Sequence, residues 1–210
     1  MFRIIATAIT ALAFTAGFAL QADAGNFLVL DENVDDVLEA LTSGGGTASK
    51  SDDAYMGSES LFVQSTGNDG QKFNQNMPQW AHKIVEDPSG PDEFRYITFA
   101  WKKDGGNGIQ LQMHGAPGGW GHRYHAGANV KNWNPSLQVD ENIPAVWTEI
   151  TKDLFEDWGA FTMSGMAFTA WDGNGGFWDA VHLHSDPTPP TSVEPQGKLA
   201  SSWAELKAGR

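Results

Sequence analysis

Gln110, Gln112 and His114 alternate with Ile109, Leu111 and Met113. Residues two apart on a strand share a face, so the pattern sets two amides and an imidazole in one row opposite an apolar row. Amides and imidazoles both donate and accept hydrogen bonds, which suits a ligand rich in hydroxyls. An ordinary solvated sheet face has the same pattern. The stretch Gly118-Gly119-Trp120-Gly121-His122-Arg123-Tyr124-His125 follows, then Asn129, Asn132 and Trp133. A Trp set among glycines has little local structure to bury in and offers a flat ring for stacking, with His122, Arg123 and Tyr124 beside it to fix a ligand's orientation. Trp120 and Trp133 are equally suited to closing the open end of a sandwich. Trp101, Trp147 and Trp178 are read as core or edge packing.

A second group is acidic. In the segment Trp178–Leu183, Asp179 shares a face with Val181 and Leu183, so its carboxylate points where apolar side chains point. A buried charge without a partner costs several kcal/mol, so a cation or a set of loop amides must meet it. His182 and His184 also share a strand face, a spacing that chelates zinc or copper when a third ligand is supplied; the sequence offers no obvious third, and paired strand histidines are more often packing residues.

These residues need a β framework, and the sequence supplies one. Phe27–Leu30 reads as a first strand, and Val34, Val37, Leu38 and Leu41 then recur at helical spacing behind Asp31 and Asn33. Residues 43–53 read as an exposed loop by composition. From Ser60 onward short alternating or β-branched runs are separated by Gly- and Pro-containing turns, at 67–70, 88–91, 103–108 and 116–119. About eight or nine strands in this arrangement predict an antiparallel two-sheet sandwich. Residues 186–196 hold four prolines and read as an extended connector, followed by a short helix over 199–207.

The first 24 residues read as an export signal: Arg3, an apolar run from Ile4 to Leu20, and Ala22-Asp23-Ala24 as cleavage site. That run is too short for a membrane span. Residues 25–185 then form one domain, with 186–210 as its tail. The net charge of −13 argues against nucleic acid and anionic membranes, because phosphate binding draws on clustered Lys and Arg, and it points to neutral rather than acidic ligands. With no cysteine there is no disulfide and no thiolate metal site.

Ala54-Tyr55-Met56-Gly57-Ser58-Glu59-Ser60-Leu61-Phe62-Val63 resembles the opening strand of carbohydrate-binding jelly rolls with a galactose-binding-like fold. The stretch from Trp147 through Asp153-Leu154, Ser164–Phe168 and Asp172–Leu183 resembles their closing strands. The chain is also similar, at Phe94–Lys103 and Gly119–Tyr124, to an uncharacterised module of exported proteins of aquatic bacteria. The resemblance implies an all-β, antiparallel two-sheet jelly-roll sandwich with short N-terminal and C-terminal helices, and a non-catalytic module for neutral glycans. It also implies a structural Ca2+ on Asp179, with Asp31 or Glu32 and the Asp172-Gly173-Asn174 loop as the remaining protein ligands. Ligand contacts fall to Gln110, Gln112, His114, Trp120, His122, Arg123, Tyr124 and Trp133. A surface-assembly module is the alternative. A jelly-roll polysaccharide lyase is a further one: Gln112-Met113-His114 is similar to a lyase strand, and Arg123, Tyr124 and His125 offer a neutraliser, an acid and a base.

Overall fold

The computed structural model describes residues 25–41, 46–65, 71–74 and 80–188. The export signal, the turn at 67–70, most of the Pro-rich tail and the helix expected over 199–207 lie outside these residues. Along the chain the elements are β1 (Asn26–Leu30), α1 (Val34–Ala40), β2 (Thr47–Ser51), β3 (Ser60–Gln64), β4 (Gln71–Asn74), β5 (His82–Ile84), β6 (Glu93–Phe94) and β7 (Tyr96–Asp104). Then come β8 (Gly108–Ala116), β9 (Gly119–Gly127), β10 (Leu137–Asp140), β11 (Thr148–Asp153), α2 (Leu154–Trp158), β12 (Phe161–Thr169) and β13 (Gly175–His184). Among the described residues no helix is long and apolar enough to cross a membrane.

The strands form the expected two-sheet, all-β sandwich. One sheet runs β11-β7-β13-β3-β2 with β1 also on β13; the other runs β10-β9-β8-β12-β5-β6 with β4 also on β12. Neighbours are antiparallel except for β9 with β10 and β5 with β6. Each sheet is thus organised on one long strand whose edge two shorter strands share. On β13, β3 pairs with Gly175–Trp178 and β1 takes over from Val181 to His184. The changeover falls at a bulge where Ala180 adopts φ 48. On β12, β5 covers Phe161–Met163 and β4 covers Met166–Thr169.

The core lies between the sheets because apolar residues alternate inward from both. Ile97, Phe99 and Trp101 of β7 and Trp178 of β13 meet Ile109, Leu111 and Met113 of β8 and Phe168 of β12, all without exposed surface or nearly so. Rings interdigitate across the gap: Phe168 lies 5.5 Å from Trp178 edge-on, and Phe99 stacks 6.3 Å from Tyr124. Burial of rings this size contributes roughly 1.5–3 kcal/mol each. Three details differ from the sequence reading. Thirteen strands are present among the described residues rather than eight or nine. The stretch expected as a loop holds β2, an edge strand of polar residues that exists because β3 offers it a free ladder, with Ser51 paired to Ser60 and Thr47 to Gln64. Gly119–Gly127 is a full strand, not a turn. Trp147, just before the edge strand β11, is half-buried against Tyr55 and Phe177, its indole N–H donating to Asp53 Oδ1 at 2.9 Å.

Candidate functional site

β8 sits inside its sheet between β9 and β12, so whatever its outward row carries is flanked on both sides. Gln112 pairs with Arg123 on β9 and Ala167 on β12; Gln110 pairs with His125 and Thr169. Alternation puts Gln110, Gln112, His114, Arg123, His125 and Thr169 on the face away from the core. A chain of hydrogen bonds joins them. Gln112 Nε2 donates to Thr169 Oγ1 at 2.8 Å, and Gln112 Oε1 accepts from Arg123 Nε at 3.0 Å. Arg123 Nη1 donates to the Pro135 carbonyl at 3.2 Å. Ser136 Oγ links Gln110 Nε2, at 3.2 Å, to His125 Nδ1, at 2.8 Å. His114 Nδ1 lies 2.8 Å from Ser164 Oγ, and its ring lies 5.1 Å from that of Trp120.

The face is graded in burial. Gln110 and Thr169 have no exposed surface and Gln112 has 4%, whereas His114, Trp120 and Arg123 remain partly exposed. Gln110 Oε1 has no hydrogen-bond partner. Whichever way that amide is turned, one of its polar atoms is left unmet. Burial pulls the His125 imidazole and the Arg123 guanidinium below their ordinary pKa values, with no carboxylate acting against it.

Two indoles stand at opposite ends of the β8–β9 ladder. Trp120 follows the β8–β9 hairpin next to His114. Trp133 lies in the connection to β10, its backbone clasped by the Asn129 side chain, at 2.9 and 3.1 Å, and its ring 6.2 Å from the buried Trp171. Trp171 lies over Gly108 at the start of β8, where an added Cβ would stand 2.1 Å from the Ala128 carbonyl, so only glycine permits this approach. Between Gln110 and His114 the polar row spans roughly 13 Å at strand rise.

His122 and Tyr124 are elsewhere. On a strand they alternate with Arg123 and His125, and the structure turns them inward: His122 is 5% exposed and stacks 3.9 Å from Phe161, and Tyr124 has no exposed surface. The Tyr124 hydroxyl donates to Asp157 Oδ2 at 2.8 Å, and burial, followed by that carboxylate, drives its pKa far up. An acid–base set of Arg123, Tyr124 and His125 therefore does not assemble on one face. Thr169, Ser136 and Ser164 join the site from other elements; the alternation of Thr169 with Phe168 in an apolar strand was the one sequence signal that pointed to any of them.

The four carboxylates implied as calcium ligands do not fit one centre. Asp179 Oδ2 accepts from the Tyr55 and Met56 amides, at 2.8 and 3.1 Å, and its Oδ1 from the Ala180 amide at 2.7 Å. Burial nonetheless raises its pKa to about 6, these amides acting against the rise and neighbouring Asp31 adding to it. Asp31 is itself raised by burial and by Glu32. Glu32 turns to Ser58 and Glu59, accepting from the Ser58 amide at 2.5 Å and hydroxyl at 2.7 Å. Asp172 caps the β7–β8 turn, accepting from Asn107 N and Nδ2 and from Gly108 N. The carbonyls around that loop are also engaged, for the buried Lys103 ammonium donates to those of Asp172 and Gly175. Among the described residues no three His, Asp or Glu converge as metal ligands, and His184 is committed to Thr98 Oγ1 at 2.9 Å and the Asp186 carbonyl.

No protein-family model matches the chain, and no curated protein does. Among solved structures it is similar to the crystal structure of the Spr0440 glycoside hydrolase domain, Endo-D from Streptococcus pneumoniae R6, at 16% identity and a TM-score of 0.37. The likeness covers 69% of this chain and 21% of that one, so the chain spans about a fifth of that structure's length.

Proposed function

We propose that this chain is an exported, non-catalytic carbohydrate-binding module whose ligand lies along the outward row of β8. The observation that carries the reading is the partly exposed set His114, Arg123 and Trp120, with Arg123 held by the buried Gln112, and Trp133 at the far end of the same row beyond the buried Gln110. Sugars present hydroxyls that need donors and acceptors, and C–H faces that stack on indole rings; this arrangement supplies both. The hydrogen bonds among Thr169, Gln112 and Arg123 fix the side chains before any ligand arrives, which lowers the ordering cost of binding. The inward position of Tyr124 supports binding over lyase chemistry, because the phenol that would serve as acid is on the other side of the sheet. Export is supported by the leader-like stretch at residues 1–24.

A glycan array probed with the secreted chain tests this, followed by Trp120→Ala and Gln112→Ala on any hit. Each substitution is expected to weaken retention about tenfold or more, equivalent to about 1.4 kcal/mol. Unchanged retention in both variants would remove the β8 row as the site, and an empty array would favour the surface-assembly reading.

A further inference from the structure

We infer that the sugar taken on this face carries an anionic substituent, a carboxylate or a sulfate ester, and that Arg123 receives it. The inference rests on the glycan reading above and adds the ligand's charge. Arg123 is half-buried and touches only neutral acceptors, Gln112 Oε1 and the Pro135 carbonyl. Two of the five N–H groups of a guanidinium are thereby used; the others meet no acceptor among the described residues. Lys103 also donates to carbonyls, but the Asp172 and Asp104 carboxylates lie close enough to act on it, and four further cations are paired with acids. Arg95 lies 2.7 Å from Asp153, Lys50 lies 2.7 Å from Asp35 and from Glu59, Lys152 lies 3.1 Å from Asp157, and Lys102 is paired with Asp53.

The side chains bonded along the row with Arg123 are Gln110, Gln112, His125, Ser136 and Thr169, with no acid among them; the acids of this face, Asp140 on β10 and Glu93 on β6, stand on the strands at the sheet's two ends. In a chain with 26 acidic and 13 basic residues, a guanidinium whose bonded neighbours are all neutral, with the acids of its face at the sheet edges, is locally out of keeping with the net charge. Withdrawing a cation from water without an opposite charge is unfavourable, and a ligand anion would relieve it. The planar fork of Arg suits a carboxylate or sulfate through two parallel hydrogen bonds. The net charge of −13 bears on the approach of such a ligand, not on its seat. Exposed charges farther away than about 8 Å are largely screened at physiological salt. The neutral-ligand expectation drawn from net charge is thus replaced by one drawn from the site.

The test is calorimetric titration of the intact secreted chain with three oligosaccharide panels matched in length: neutral, uronate-containing and sulfated, at physiological ionic strength. At least one acidic panel is expected to bind tenfold or more tightly than the neutral one, and which of the two does so separates carboxylate from sulfate. Arg123→Gln should abolish that preference, and Arg123→Lys, which keeps the charge and loses the fork, should retain part of it. Thermal melts check that both variants are folded, and the wild-type comparison of panels stands without them. Equal or tighter binding of neutral sugars, or an acidic preference that survives Arg123→Gln, overturns the charge assignment and leaves the glycan reading in place. Failure of all three panels overturns both.

Discussion

His82 is 5% exposed among Phe27, Trp80 and Phe94, with ring centroids 4.2 to 5.5 Å away, and neither of its ring nitrogens is hydrogen-bonded. Burial lowers its pKa to about 4, and that of His182 likewise to about 4. A histidine that holds its proton more weakly in the folded state contributes fully above about pH 6.5, and that contribution is lost as pH falls toward 4, on the order of 3 kcal/mol per residue. His122, His125 and His184 are shifted in the same direction by burial. Asp179 acts oppositely: with its pKa raised to about 6, its carboxyl holds a proton more tightly when folded, so its contribution grows as pH falls from about 6 to 4. The histidines outnumber it, and net stability should decline through this window. His82→Leu is expected to flatten the decline and to raise the melting temperature at pH 5 by more than at pH 8. A parallel displacement of wild type and variant across that range would show that His82 is not among the groups being titrated.

The element that organises one sheet is β13, and its bulge is where the chain is least ordinary. Ala180 has φ 48, a left-handed conformation costly for any side chain and most for β-branched ones, and Asp179 Oδ1 holds its amide. Ala180→Gly should leave stability within about 1 kcal/mol, relief of backbone strain offsetting the lost methyl. Ala180→Val should cost more than about 2 kcal/mol, measured by denaturant unfolding. The reverse order would mean that β13 passes from β3 to β1 without this bend. Elements like β8 were legible in the sequence because strict alternation in a central strand forces one row in and one row out. β9 was not: glycines at 118, 119 and 121 resemble a turn, and only the ladder to β8 shows that His122 and Tyr124 face inward with Ala126. β2 was hidden because an exposed edge strand has no apolar row to betray it. The carboxylates at 31, 32, 172 and 179 stand out in the sequence as groups in need of donors, but no sequence pattern reveals which backbone amides will occupy their oxygens.

Across the whole molecule, two sheets close one core, and the polar chemistry is distributed on their outer faces and loops. The carboxylates of Glu32, Asp172 and Asp179 are each met by N–H or O–H donors of a different loop. A thermal melt should accordingly be unmoved by EDTA or by added calcium, and a chelator-sensitive transition would require a cation site of a different make-up. On the outward side of the β8 sheet the polar side chains of β8, β9 and β12 are bonded to one another, with no acid among the bonded partners and an indole ring at either end of the row. The central claim is that sugar binds there. The most direct measurement is a backbone and indole NMR titration of the isotope-labelled chain with oligosaccharides that bind. Shift changes are expected to concentrate at Gln112, His114, Trp120, Arg123 and Trp133. Changes confined to the opposite sheet, or none with any binding oligosaccharide, would contradict it.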